Sequence, residues 1–117
     1  DLIETIRERQ CQMLENGGDT AMFVREGGQA AAEAIAAFGS GDYRKTIGLI
    51  RPIRHTANRF GGSHAQRDIL DLTLIEAAFR AGDYALAAAL ASERYEAKPT
   101  SPLAQYFVNR AQAERAA

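Results

Sequence analysis

The sequence predicts an all-α protein of antiparallel helical hairpins stacked side by side. Three observations point there. Ala36-Ala37-Phe38 followed by Gly41-Asp42-Tyr43 recurs 41 residues later as Ala77-Ala78-Phe79 and Gly82-Asp83-Tyr84, and Leu49 and Leu90 match at the same offset. Apolar residues recur at helical spacing and no stretch alternates as a strand would. The chain is alanine-rich, with three Pro and no Trp, which suits closely packed helices. One hairpin cannot bury its apolar face alone, so a copied hairpin implies stacking.

Taken in order, Leu2, Ile3, Ile6, Met13 and Leu14 follow helical spacing and predict a first helix over about Leu2 to Leu14. The abrupt start at Asp1 raises the expectation that the chain is the C-terminal fragment of a longer protein. Gly17-Gly18 and Gly27-Gly28 interrupt helical propensity at about 1 kcal/mol per Gly relative to Ala. Gln29 to Gly39 reads as an alanine-rich helix, with Gly41 closing its turn and Asp42 capping the next. That next helix is expected from Tyr43 to about Arg59, with Tyr43, Ile47, Ile50, Ile53, Ala57 and Phe60 on one arc. Pro52 inside it clashes with the carbonyl four residues back, at Gly48, so the expectation is a kink and not a stop.

Ser63-His64-Ala65-Gln66 has the form of a capping box. The helix from there to Ala81 is apolar around most of its circumference, so it should be the most buried. Gly82-Asp83 repeats the turn, and Tyr84 to Ala97 is the hairpin partner. Ser101-Pro102 starts a last helix to about Glu114, with Leu103, Phe107 and Ala111 on one side. The organisation is one domain over residues 1–117: hairpins at about 29–60 and 63–97, then a capping helix at about 102–115. Tyr43 and Tyr84 are both expected to pack against the first helix of their hairpin.

At 117 residues and 46% hydrophobic composition the chain suits one folded domain with a modest core. A net charge of -1 supplies no global attraction for nucleic acid. No apolar run approaches the roughly 18 residues of a membrane span. The single cysteine, Cys11, cannot form an internal disulfide, so a reducing cytoplasm is the default compartment, and its surroundings mark it as a packing residue.

Gly82-Asp83-Tyr84, the small Ala87, and Pro99 fall where the tetratricopeptide repeat places them, although the period here is seven residues longer than the usual ~34. A closer resemblance rests on Phe38 with Gly41-Asp42-Tyr43, the Leu49 to Arg54 stretch, Gly61-Gly62-Ser63-His64-Ala65-Gln66-Arg67-Asp68, Thr73-Leu74-Ile75, and Glu93-Arg94 with Pro99. Over roughly 29–110 the chain resembles the C-terminal region of the tetratricopeptide repeat protein 38 family. That resemblance implies a short right-handed superhelix, a longer parent protein of helical repeats, and no particular reaction or cofactor. Tetratricopeptide geometry would place Ala31, Ile35, Ile69, Leu72, Glu76 and Arg80 in a concave groove. The Lys and Asn of the chaperone-binding carboxylate clamp are missing there.

Two constellations could carry chemistry. His64, Arg67, Asp68 and Asp71 fall at i, i+3, i+4 and i+7 and project from one helix face, with Gln66 beside them. A His between carboxylates and a guanidinium suits general acid–base work or an anion grip. The same residues equally make a structural network, with Arg67 paired to Asp71. The cluster has no free nucleophile, since Ser63 serves as a cap. Its face continues as Ile75 and Ala78, expected in the core. The second constellation is a basic stripe of Arg44, Arg51, His55 and Arg59, ~22 Å long on a helix without acids. It suits an acidic peptide or a phosphate backbone, or is a solvated face. No aromatic residue interleaves with it for base stacking.

His55 and His64 have no cysteine nearby, which argues against zinc, and the glycine pairs fit no phosphate loop. No cofactor is expected. The favoured function is a protein-interaction or scaffold module, with a protein or peptide partner, among residues His64, Gln66, Arg67, Asp68, Asp71, Glu76 and Arg80. The alternative is the accessory helical part of an enzyme with a polar site around His64, Arg67, Asp68 and Asp71.

Overall fold

The computed structural model describes Glu4, Ile6, Glu8 and Gln10, residues 29–54 and residues 64–116; for Gln29, residues 64–67 and residues 115–116 the description is of backbone alone. All described elements are helices: α1 (Gln29–Ser40), α2 (Tyr43–Arg54), α3 (His64–Arg80), α4 (Tyr84–Ala97) and α5 (Pro102–Ala116). Glu4, Ile6, Glu8 and Gln10 are helical as well. Each helix packs on the next in the chain, and α1 also meets α3. No described helix is long and apolar enough to cross a membrane.

The repeated Gly-Asp-Tyr has one mechanism in both places. Gly41 has φ 87° and Gly82 φ 79°, a left-handed conformation that costs other residues a backbone clash. The Asp42 N–H donates to the Ala37 carbonyl at 2.9 Å and the Gly41 N–H to Phe38 at 3.2 Å. Asp83 donates to Ala78 at 3.0 Å and Gly82 to Phe79 at 3.1 Å. These paired bonds satisfy the last carbonyls of α1 and α3 as a Schellman motif. The same Asp then caps the following helix: Asp42 Oδ1 accepts from Lys45 N–H and Asp83 Oδ1 from Leu86 N–H. One aspartate thus ends one helix and starts another, which makes the connection short. At α5 the Ser101 hydroxyl accepts from Ala104 N–H at 3.3 Å, so Ser101 is the expected cap. Ser63 lies outside the described residues, so the capping box does too.

α3 is the centre of the stack. Every residue from Leu72 to Phe79 is buried, as its all-round apolarity predicts, and Ile75 and Ala78 are fully so. Phe79 stacks on Phe107 of α5, ring centroids 6.2 Å apart, and Phe107 is completely buried beside Ala104 and Ala111. In α2, Ile50 is buried and Tyr43, Ile47 and Ile53 pack partly against the core. The helix continues through Pro52 to Arg54; its expected extension to Arg59, with Ala57 and Phe60, lies outside the described residues. Thr46 is fully buried, its one hydroxyl proton shared between the Asp42 carbonyl at 3.1 Å and the Ala34 carbonyl of α1 at 3.2 Å.

Two expectations are corrected. Tyr43 meets Phe38 edge-on at 5.6 Å, but Tyr84 is 40% exposed, so the two motifs share a turn and not a tyrosine seat. Ala31, Ile35, Ile69, Leu72 and Glu76 are buried and do not line an open groove. Ile6 is fully buried in the same core, and the buried Gln10 amide donates to Thr73 Oγ1 of α3 at 2.9 Å.

Candidate functional site

The described polar residues singled out from α3, Asp68, Asp71, Glu76 and Arg80, form two separate clusters. Asp68 and Asp71 share the first. Arg94 of α4 places Nη1 2.8 Å from Asp68 Oδ1 and 3.3 Å from Asp71 Oδ2. Arg54 of α2 places Nη2 3.3 Å from Asp71 Oδ1 and also pairs with Glu93. Lys98 Nζ adds a contact to Asp68 at 3.2 Å. The cluster therefore joins α2, α3 and α4. Arg94 reaches it because Ala87, Leu90, Ala91 and Arg94 form the buried arc of α4. Its side chain is only 6% exposed, and its Nε is buried without a partner. An arginine on an otherwise apolar stripe was the sequence signal for this partner.

The two aspartates titrate in opposite directions. Burial pushes Asp68 up, but the hydrogen bond and charge of Arg94, then those of Lys98, outweigh it and hold the carboxyl below its ordinary value of 3.8. For Asp71 burial prevails over Arg54 and Arg94, and Glu93 adds repulsion, so its carboxyl lies above 3.8. Asp71 takes partners from α2 and α4; the expected Arg67–Asp71 pair lies outside the described residues. The side chains of His64, Gln66 and Arg67 lie outside the described residues, as do His55 and Arg59.

The second cluster surrounds Glu76, 2% exposed in the middle of α3. Arg80 Nε sits 3.0 Å from Oε1, and Arg110 of α5 holds Oε2. The charge is buried because both oxygens are paired. Arg80 Nη1 also donates to the Tyr43 hydroxyl at 3.1 Å and lies over that ring, and Arg110 lies 4.3 Å from the Phe79 ring centroid. The hydrogen bond to Tyr43, against some desolvation, and the bond and charge of Glu76 raise the Arg80 pKa above its ordinary value. Arg110 had no sequence signal, because it is one of several polar residues along α5.

The basic stripe divides. Arg44 and Arg51 are exposed on α2, with Lys45 beside them, whereas Arg54 on the same helix is spent on Asp71 and Glu93. Among the described residues no group of three His, Cys, Asp or Glu side chains converges as a metal site. No family model matches the chain, and no solved structure matches it.

Proposed function

We propose that the chain is a protein-interaction or scaffold module with tetratricopeptide-like repeats. The observation that supports it most is the use of its acids. Asp68, Asp71 and Glu76 are each held by guanidiniums from other helices, so their geometry serves the stack. Large rings are left partly outside it: Tyr84, Tyr95 and Tyr106 are 39–45% exposed. Tyr84 and Tyr95, eleven residues apart, fall on one face of α4, and tyrosine gives amphipathic contact area at low entropic cost. A partner retained by the intact chain should be lost from a Tyr84→Ser/Tyr95→Ser/Tyr106→Ser variant whose helical circular dichroism is unchanged. Identical captured proteins for both would remove these rings from the interface.

A second reading, the accessory part of an enzyme, draws on Asp71. A carboxyl pushed upward beside one pushed downward is a pattern that acid–base sites use. An activity that vanished in Asp71→Asn with the fold intact would favour that reading.

A further inference from the structure

The described cations fall into two sets. Arg54, Arg80, Arg94, Lys98 and Arg110 each hold a carboxylate. Arg44, Lys45 and Arg51 hold none among the described residues, and all are exposed on α2. α2 has no acid of its own, and Asp42 at its start is committed to capping the Lys45 N–H. At 100° per residue Arg44, Gly48 and Arg51 fall within one narrow arc, with Lys45 and Pro52 beside it. Gly48 is exposed, and a Cβ there would meet nothing within 4 Å. The floor between the two guanidiniums is therefore bare backbone.

We infer that this face of α2 binds an extended acidic peptide segment, two of whose carboxylates straddle Gly48 to reach Arg44 and Arg51. The two arginines are separated by seven residues, roughly 10 Å along the axis. In an extended polyproline-type peptide, positions three apart lie on one side at a spacing of about 9 Å. Guanidiniums take carboxylates as bidentate partners, and Lys45 adds charge at the edge. A bilayer would need a large apolar side chain to insert, and the exposed uncharged residues on and beside this arc are Gly48 and Pro52. A nucleic acid gains no aromatic platform here, and three cations give weak, salt-sensitive phosphate binding. The inference rests on the chain being an interaction module, but it uses a different surface from the three tyrosines. Peptide binding that survived loss of the tyrosine-dependent partner, or the reverse, would separate the two.

The experiment is fluorescence anisotropy of the whole chain with a short labelled peptide carrying Glu at every third position between Pro and Ala. Controls are a peptide of the same composition with its Glu residues adjacent, a single-stranded oligonucleotide, and phosphatidylserine vesicles. The spaced peptide should bind saturably and about tenfold tighter than the clustered one, the scale of two well-oriented surface ion pairs. Arg44→Glu/Arg51→Glu should abolish binding. Arg44→Lys/Arg51→Lys should weaken it, and Gly48→Leu should weaken it without lowering the thermal midpoint. Equal affinity for both peptides, binding retained after charge reversal, or tighter binding of the oligonucleotide or vesicles would overturn the inference.

Discussion

Asp68 of α3 and Arg94 of α4 sit 2.8 Å apart, and the Arg94 guanidinium, between Asp68 and Asp71, is almost wholly buried. Such a group is costly to desolvate, and its Nε is left without a partner. Its removal is nevertheless expected to hurt, because two carboxylates one turn apart would then repel. Arg94→Ala should cost about 3 kcal/mol in urea unfolding, at the low end for a broken buried pair because both aspartates keep some contact with water. A loss of a few tenths would mean that water replaces the guanidinium without penalty.

The opposite shifts of Asp68 and Asp71 give a signed dependence on pH. Asp68 has a folded pKa below its unfolded value, so its contribution is present above 3.8 and is lost as pH falls through the lower folded value. Asp71 has a folded pKa above its unfolded value, so its ionised form destabilises above that folded value, and the penalty is relieved as pH falls towards 3.8. Relative to the parent chain, Asp71→Asn should lose a gain in stability on the alkaline side of 3.8. Asp68→Asn should lose a decline on the acid side. Thermal midpoints across the acid range would check this; identical pH slopes for the two variants would refute it.

The helices and turns were legible because their causes are local. Gly41 and Gly82 announce left-handed caps, Asp42 and Asp83 announce N-caps, and Ser101-Pro102 announces a start. The centrality of α3 was legible from its apolar circumference. What could not be read was which helix supplies each counter-charge. Arg94, Arg54 and Arg110 come from three different helices, and pairing across helices depends on their relative rotation. The Tyr84 seat misled for the same reason: an identical motif meets different neighbours in each hairpin. In the candidate site, Asp68 and Asp71 were found together, but their partners were not.

Glycines in helix and turn should respond with opposite sign. Gly48 lies inside α2 with open space where a Cβ would sit, so Gly48→Ala should stabilise by about 0.5–1 kcal/mol. Gly82 also has open space, but its φ of 79° does not suit an L side chain. Gly82→Ala should therefore cost about 1–2 kcal/mol. Chemical denaturation of both variants decides this, and equal effects would show that space and not backbone conformation governs.

Tyr84 and Phe107 form a second contrast. Phe107 is fully buried against Phe79, so Phe107→Ala should cost about 3–5 kcal/mol. Tyr84 is 40% exposed, and Tyr84→Ala should cost under about 1 kcal/mol. A severe loss at Tyr84 would place that ring in the core.

The contact between Gln10 and Thr73 tests whether the N-terminal helical segment belongs to the fold. Thr73 Oγ1 donates to the Ile69 carbonyl at 2.7 Å while accepting from Gln10, so the hydroxyl serves two helical segments at once. Thr73→Val keeps the shape but strands the buried Gln10 amide, and should cost about 1–3 kcal/mol. Gln10→Leu alone leaves Thr73 bonded to Ile69 and should cost less. With both changes an apolar pair replaces the polar one, so most of the Thr73→Val loss should return. A double-mutant cycle measures the coupling directly. Additive effects would mean that the bond across 63 residues contributes nothing.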